Sequence, residues 1–272
     1  MTMPLATTPH ISTYAARNTS LDLIKWLAII TMLLDHLRLV WPVLGDLFII
    51  GRWAFPLFCL AIAANVVRHD PATGVWTPRN LRYIGSLMLF ALISEYPYHL
   101  LSPDSPTLNI LPTLAAGLLI CWGVHYRTIL SISIATCTFI AAYVGHAHLM
   151  YGGLGALLPL ACWLGIRYGR PMWVMPALLA TLTNLPHELI NTGIWSWQHA
   201  LVLGSAAIAP IVGLWLLQQS LNQRIHPVGR WGYWFYPVHL LVLYVISLGV
   251  QHTTDITQPL LRELPTAQYT LQ

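Results

Sequence analysis

The sequence has few charged residues, and this scarcity excludes most classes of soluble protein. Only 8% of its 272 residues are Asp, Glu, Lys or Arg, 56% are hydrophobic, and the mean hydropathy is +0.62. Soluble domains carry about 25% charged residues, so a water-soluble globule is excluded. The small basic surplus, 13 Lys and Arg against 9 Asp and Glu, is typical of cytoplasmic loops in membrane proteins and predicts no nucleic-acid partner.

The motifs of soluble enzymes are missing as well. The sequence contains no Walker A loop, nucleotide-binding GxGxxG, GxSxG or HExxH pattern. Its cysteines lie within apolar runs and form no paired motif, so we expect neither a disulfide framework nor a metal site. They are Cys59, Cys121, Cys137 and Cys162. Any chemistry must therefore use histidine, carboxylate and arginine side chains together with a supplied co-substrate.

Apolar runs long enough to cross a bilayer dominate what is present. We predict an all-α, polytopic integral membrane protein with about nine transmembrane helices. The predicted spans are 21–43, 47–67, 81–101, 107–124, 128–145, 148–167, 171–185, 199–219 and 230–250. They form a single transmembrane domain over 19–252, between polar tails at 1–18 and 253–272. The seventh span is the least regular, because prolines flank it.

Charges in the predicted loops indicate the orientation. If nine spans alternate, the arginines collect on one side and the acidic residues on the other, which by the positive-inside rule places the N-terminus in the cytoplasm and the C-terminus outside. The inner set is Arg17, Arg68, Arg79, Arg82, Arg127, Arg167, Arg170, Arg224 and Arg230. The outer set is Asp46, Asp104, Glu188, Asp255 and Glu263, with Arg262 as the exception.

The first span carries ionisable residues, which cost roughly 2.5–3.5 kcal/mol each in hydrocarbon and usually face a wet cavity or a partner. Lys25 and His36 are eleven positions apart, which is about three helical turns and about 16 Å of rise. They therefore share one face at different depths. Asp35 neighbours His36 in sequence but points about 100° away on an ideal helix. A buried structural network around Asp35 and His36 is the alternative to a functional site.

Ionisable residues of other spans fall in the outer half of the predicted membrane. They include Arg52, Glu95, His99, His187 and Glu188, and His239 lies at about mid-depth in the ninth span. This polarity predicts an anionic ligand bound from the cytoplasm and chemistry deeper in the membrane. Simpler readings stay open: Arg52 could pair with Glu95 or reach the outer headgroups, and Arg79 and Arg82 could only set topology. Asn80 is expected to cap the third span.

Four segments together resemble the TraX family of conjugative F-pilin acetylases over residues 21–250. They are LIKWLAIITMLLDHL, IIGRWAFPLFCLAIAAN, RYIGSLMLFALISEYPYHLL and GRWGYWFYPVHLLVL. TraX proteins in turn resemble the acyltransferase-3 superfamily, whose Arg/Lys-x10-His motif Lys25 and His36 reproduce. Arg79 and Arg82 reproduce its RxxR motif. The closing aromatic helix, which ends in histidine, resembles the superfamily's terminal helix, although ten spans are usual there.

The resemblance implies a multi-pass acetyltransferase of the bacterial inner membrane. Acetyl-CoA would be the acyl donor, and the N-terminal amine of a pilin subunit the acceptor. His36 would be the general base, since an amine nucleophile must lose a proton near neutral pH. Asp35, Glu95 and Arg52 complete the predicted catalytic set, Glu95 or Arg52 orienting His36 or polarising the thioester. Direct transfer is the expected route, with an acetyl-histidine intermediate as the alternative.

The acetyl-CoA-binding set follows from the same resemblance. Arginines at the cytoplasmic mouth would hold the CoA phosphates through charge-assisted contacts. The predicted residues are Lys25, Arg79, Arg82, Tyr236 and His239. Two other functions remain: a proton-coupled permease with a relay of buried ionisable groups, and a non-enzymatic pilus-assembly protein. The lack of an evident internal repeat and the paired motifs favour the enzyme over the permease.

Overall fold

The computed structural model describes residues 19–186, 193–221 and 225–262, the last ten of these for the backbone only. Every regular element in these ranges is a helix. The α-helices are α1 (Thr19–Val40), α2 (Leu47–Gly51), α3 (Ala54–Val67), α4 (Pro78–Leu101), α5 (Ile110–Tyr126), α6 (Ile129–Val144), α7 (Gly152–Gly155), α8 (Leu158–Tyr168), α9 (Val174–Leu182), α10 (Trp197–Leu217) and α11 (Trp231–Arg262). The predictions for residues 1–18, His187 and Glu188 lie outside the described residues.

Four helical segments are long and apolar enough to cross a membrane. They are Leu47–Val67, Pro78–Leu101, Trp197–Leu217 and Trp231–His252. Two further apolar helices, α5 and α6, are shorter. The 22-residue α1 has the length to cross a bilayer, but its four charged side chains set it apart. The prediction of an all-α fold with several helices long enough to span a membrane is confirmed for the described residues, and the count of nine spans stays a prediction.

Several predicted boundaries differ from the observed ones. The second predicted span is two helices, α2 and α3, interrupted at Arg52 and Trp53. The ninth continues past its predicted end to Arg262. The prediction that Asn80 caps the third span is wrong, because Thr77 is the N-cap and accepts a bond from the Asn80 backbone N–H. The Asn80 side chain instead donates to the Val75 carbonyl and the Tyr126 hydroxyl, at 2.9 and 2.7 Å.

The core is built around α3, which packs against α1, α5, α8 and α10. Small residues allow the helices to approach closely, as is common in membrane bundles. A Cβ on Gly213 of α10 would come within 2.5 Å of the Leu60 side chain on α3. A Cβ on Gly117 of α5 would meet Pro159 of α8 at the same distance. Neither position has room for a larger residue.

Helix α11 packs along α4 and also touches α1. The contact between α1 and α11 joins two helices that are about 200 residues apart in the chain. A contact near the N-terminal ends of α1 and α11 joins the two helices: the Trp26 indole N–H donates to the His226 carbonyl at 2.9 Å, and the Trp26 and Trp231 rings lie 5.2 Å apart. The functional residues predicted on α1 and α11 therefore face each other.

Candidate active site

His36 and His239 form a direct hydrogen bond between α1 and α11. Nδ1 of His36 lies 2.8 Å from Nε2 of His239. The two ring centroids are 5.1 Å apart and the ring planes differ by 10°. Two imidazole rings whose nitrogens are 2.8 Å apart reach a centroid distance of 5.1 Å only when the nitrogens lie on the line between the centroids. The two rings therefore lie edge to edge in nearly one plane. That geometry suits a linear N–H···N bond.

The partners of His239 determine where the protons sit in this pair. Nδ1 of His239 lies 2.8 Å from the Phe235 carbonyl oxygen, which can only accept, so Nδ1 carries the proton. In the neutral ring, Nε2 of His239 is then an acceptor, and Nδ1 of His36 must be the donor. Nε2 of His36 is left as an unprotonated nitrogen with a free lone pair. His239 is buried, whereas His36 is partly exposed.

Asp35 makes its contacts away from His36, as its position on the helix predicts. Its Oδ1 accepts from Nε of Arg38 at 3.1 Å and from an Nη of Arg52 at 3.3 Å. Arg52 also donates to the Asn184 side-chain oxygen at 3.2 Å, and its guanidinium lies 3.8 Å from the centroid of the Phe48 ring. We call this set the outer arginine cluster. It sets two guanidinium groups against one carboxylate and holds a net positive charge beside His36.

Glu95 lies in a separate network at the far end of α4. Its two carboxylate oxygens contact Nε2 of His99 at 3.0 Å and the Asn109 backbone N–H at 3.1 Å. The Asn109 side chain donates to the same carboxylate and to the Ala91 carbonyl, and its oxygen caps α5. Arg52 is bound to Asp35 and Asn184, so the alternative in which it pairs with Glu95 is wrong. Neither residue donates to or accepts from His36 in the described hydrogen bonds.

A cavity of about 160 Å³ runs between α1, α3, α4, α5 and α11. Its wall is mostly apolar. The polar side chains in this wall are those of Lys25, Asn65, Tyr83, Tyr233 and Tyr236. The apolar lining includes Ile29, Met32, Phe58, Ala61, Ile62, Leu87, Ile110, Leu111, Leu114 and Val228. Lys25 and Tyr236, two predicted acetyl-CoA-binding residues, thus share one cavity.

Arg79 and Arg82 lie at the start of α4 and are not among the residues that line this cavity. Arg79 hydrogen-bonds to Nδ1 of His69, and Nε of Arg82 donates to the Pro78 carbonyl at 3.1 Å. Burial, and then the neighbouring charge of Arg79, lower the pKa of His69 to about 4. His69 is therefore neutral near pH 7 and leaves the charge of Arg79 uncompensated.

Sequence reasoning missed several residues that shape the site. The Phe235 carbonyl could not be foreseen, because it depends on the rotamer of His239. Asn109 precedes an apolar run and carries an ordinary N-cap signal, which could have been found. Asn184 and Phe48, both in contact with Arg52, gave no signal at all.

The described fold and site define a helical membrane protein with a histidine pair at the meeting point of α1 and α11. The sequence profile described as TraX protein matches residues 20–247, and the chain belongs to the TraX family, whose name is associated with conjugation. It is 29% identical to Protein TraX of Escherichia coli over 236 residues, which cover 84% of this chain and 87% of that protein. No solved structure matches the chain.

Proposed function

We propose that this protein is a multi-pass acetyltransferase of the bacterial inner membrane. It would move an acetyl group from cytosolic acetyl-CoA to an acceptor on the external side, the N-terminal amine of a conjugative pilin. Four helical segments that are long and apolar enough to cross a membrane support the multi-pass part of the proposal. The arginine distribution supports a cytoplasmic N-terminus.

The observation that carries this proposal is the hydrogen-bonded chain from the Phe235 carbonyl through His239 to His36. It leaves one unprotonated imidazole nitrogen at a defined depth on α1. Lys25 lies on the same face of α1, about three turns away, and lines a cavity that leads along α1 and α11. A donor bound from the Lys25 end and an acceptor arriving from the opposite side would therefore meet near His36.

The reaction then proceeds by direct transfer. Nε2 of His36 takes a proton from the acceptor amine as the amine nitrogen attacks the thioester carbonyl carbon. The carbon–sulfur bond breaks, and the imidazolium returns the proton to the departing CoA thiolate. The products are the N-acetylated acceptor and free CoA. A general base of this kind contributes about 10²–10⁴-fold to a rate.

The role of the outer arginine cluster is electrostatic. Its net positive charge lies beside the base, since Asp35 adjoins His36 and neutralises only one of two guanidinium groups. A positive field of this kind stabilises negative charge on the tetrahedral intermediate. Asp35, Arg38 and Arg52 thus act as positioning and electrostatic residues. Glu95 organises the start of α5.

The test uses the full-length protein in lipid nanodiscs. Labelled acetyl-CoA is supplied with a synthetic peptide that has a free N-terminal amine, and the N-formylated peptide serves as the control. We expect the label on the free amine alone, read by mass spectrometry. Proteoliposomes with a pH gradient test the permease alternative. Proton-coupled flux without acetyl transfer would replace the enzyme with a transporter.

Replacing Arg79 and Arg82 together by Ala should weaken acetyl-CoA binding by about tenfold or more, since each charge-assisted contact contributes about 1.5–3 kcal/mol. In the wild type His69, with its pKa lowered to about 4, is neutral near pH 7, so the loss of affinity comes from the two arginines. Isothermal titration with acetyl-CoA and with dephospho-CoA measures it. Unchanged affinity together with altered membrane orientation would assign the pair to topology.

A further inference from the structure

The cavity and the histidine pair are separated by a thin partition. On α1 the cavity-lining residues Lys25, Ile29 and Met32 continue, one turn further, to His36. On α11, Gly232 and Tyr236 in the same way lead to His239. Met32 and Tyr236 are the lining residues of α1 and α11 that lie nearest to the histidine pair in sequence. Both are buried, with 7% and 6% exposed. They lie about one helical turn, or about 5 Å, short of the pair.

The Tyr236 side chain is placed to reach both sides of this partition. Its ring centroid lies 5.6 Å from that of His239, and the residue also lines the cavity. A phenol hydroxyl carries one proton that it can donate. The cavity therefore has a hydroxyl donor at its deep end.

We propose that Met32 and Tyr236 form the floor of the donor cavity and that the Tyr236 hydroxyl donates a hydrogen bond to the thioester carbonyl oxygen. This inference rests on the proposed acetyl transfer and names a residue for it. Attack requires the amine nitrogen to lie about 3 Å from both the carbonyl carbon and Nε2 of His36, so the donor carbonyl has to reach the deep end of the cavity, about one helical turn from the histidine pair. Met32, opposite Tyr236, limits the length of the acyl group.

The Tyr236 hydroxyl adds one interaction to the acetyl-transfer step. As the amine nitrogen bonds to the carbonyl carbon, the carbonyl oxygen gains negative charge, and the Tyr236 hydroxyl stabilises it without transferring its proton. When the carbon–sulfur bond breaks, the carbonyl re-forms and the hydrogen bond weakens. The contribution appears in the transition state, so it changes kcat and leaves donor binding nearly constant.

Tyr236→Phe removes only the hydroxyl and is the critical variant. We expect kcat for transfer from acetyl-CoA to the free-amine peptide to fall about 10²-fold, with the KM for acetyl-CoA changed by less than about threefold. Tyr244→Phe, two turns further along α11 and outside the cavity, is the matched control and should keep wild-type kcat. A Tyr236→Phe protein with wild-type kcat would overturn the role of the hydroxyl.

A binding readout that does not depend on turnover uses the fact that Lys25 is the single lysine of the chain. Bound acetyl-CoA, or a non-reactive thioether analogue of it, should protect Lys25 from an amine-directed reagent, in the wild type and in Tyr236→Phe alike. Loss of protection together with loss of kcat in the variant would make Tyr236 a binding residue and overturn the inference. If the wild type shows neither protection nor transfer, the proposed function itself fails.

The floor is tested separately by acyl length. Met32→Ala should raise the ratio of butyryl to acetyl transfer at least about tenfold, because it opens space at the deep end of the cavity. Ile30→Ala, on the exposed face of the same helix, where Ile30 is 48% exposed, is the control and should leave the ratio unchanged. An unchanged ratio in Met32→Ala would place the acyl group elsewhere.

Discussion

His36→Asn is expected to reduce acetyl transfer by about 10²–10⁴-fold while the protein still inserts and folds. The Asn amide can occupy the place of Nδ1 and donate to Nε2 of His239, so the contact between α1 and α11 is retained. Only the basic nitrogen is lost. The measurement is N-terminal acetylation of the peptide by mass spectrometry, beside thermal unfolding of the variant. His252→Asn, at an exposed position of α11, is the control.

Two substitutions of His239 test whether its side chain positions His36 or only fills space between the helices. Its Nε2 accepts from Nδ1 of His36, which keeps the proton off Nε2 of the base. His239→Leu should lower kcat at least about tenfold, because His36 can then adopt either tautomer, and loss of tautomer control is costly in comparable triads. His239→Gln retains an acceptor near the same place and should recover part of the rate. Equal rates in the two variants would show that only packing matters there.

Asp35→Ala should destabilise the protein by about 3 kcal/mol, the lower end of the range for removing one partner of a buried ion pair. The carboxylate is only 14% exposed, and its loss leaves Arg38 and Arg52 facing each other without a counter-charge. The effect is read as a fall in unfolding temperature in detergent. Asp46→Ala, on an exposed connection, should have almost no effect.

The activity per folded molecule distinguishes a structural role of Asp35 from a catalytic one. Asp35 contacts the two arginines but not His36, so the folded fraction of Asp35→Asn should keep kcat within about tenfold of the wild type. A fall as large as that of His36→Asn would return Asp35 to the catalytic set. Asp35, the sequence neighbour of His36, would then take part in the reaction.

The helical framework could be predicted from composition alone, because apolar runs of this length have few other structures. The face shared by Lys25 and His36 followed from the period of the helix. The partner of His36 could not be predicted, because it depends on how α1 and α11 pack, and these helices are about 200 residues apart. Arg52 and Glu95 looked complementary by charge and depth, yet nearer groups satisfy each of them.

The break between α2 and α3 was also invisible in the hydropathy, since Arg52 and Trp53 are flanked by uniformly apolar sequence. The interruption places the Arg52 guanidinium beside Asp35 and Asn184 rather than on a continuous helix face. In the same way the Thr77 cap preceded the position expected from Asn80 by three residues. The sequence therefore located the start of α4 to within three residues. The Asn80 side chain is not the cap, because it bonds to the Tyr126 hydroxyl of α5.

The partition at Met32 and Tyr236 has a bioenergetic consequence. In the proposed orientation, a cavity open to the cytosol carries cytosolic potential part of the way into the protein, and the potential drop falls across the remaining thickness, which includes the histidine pair. Each elementary charge that crosses 100 mV gains or loses about 2.3 kcal/mol. The proton that moves between the acceptor amine and His36 would therefore experience the membrane voltage, and the energised state of the cell would influence the speed of the reaction.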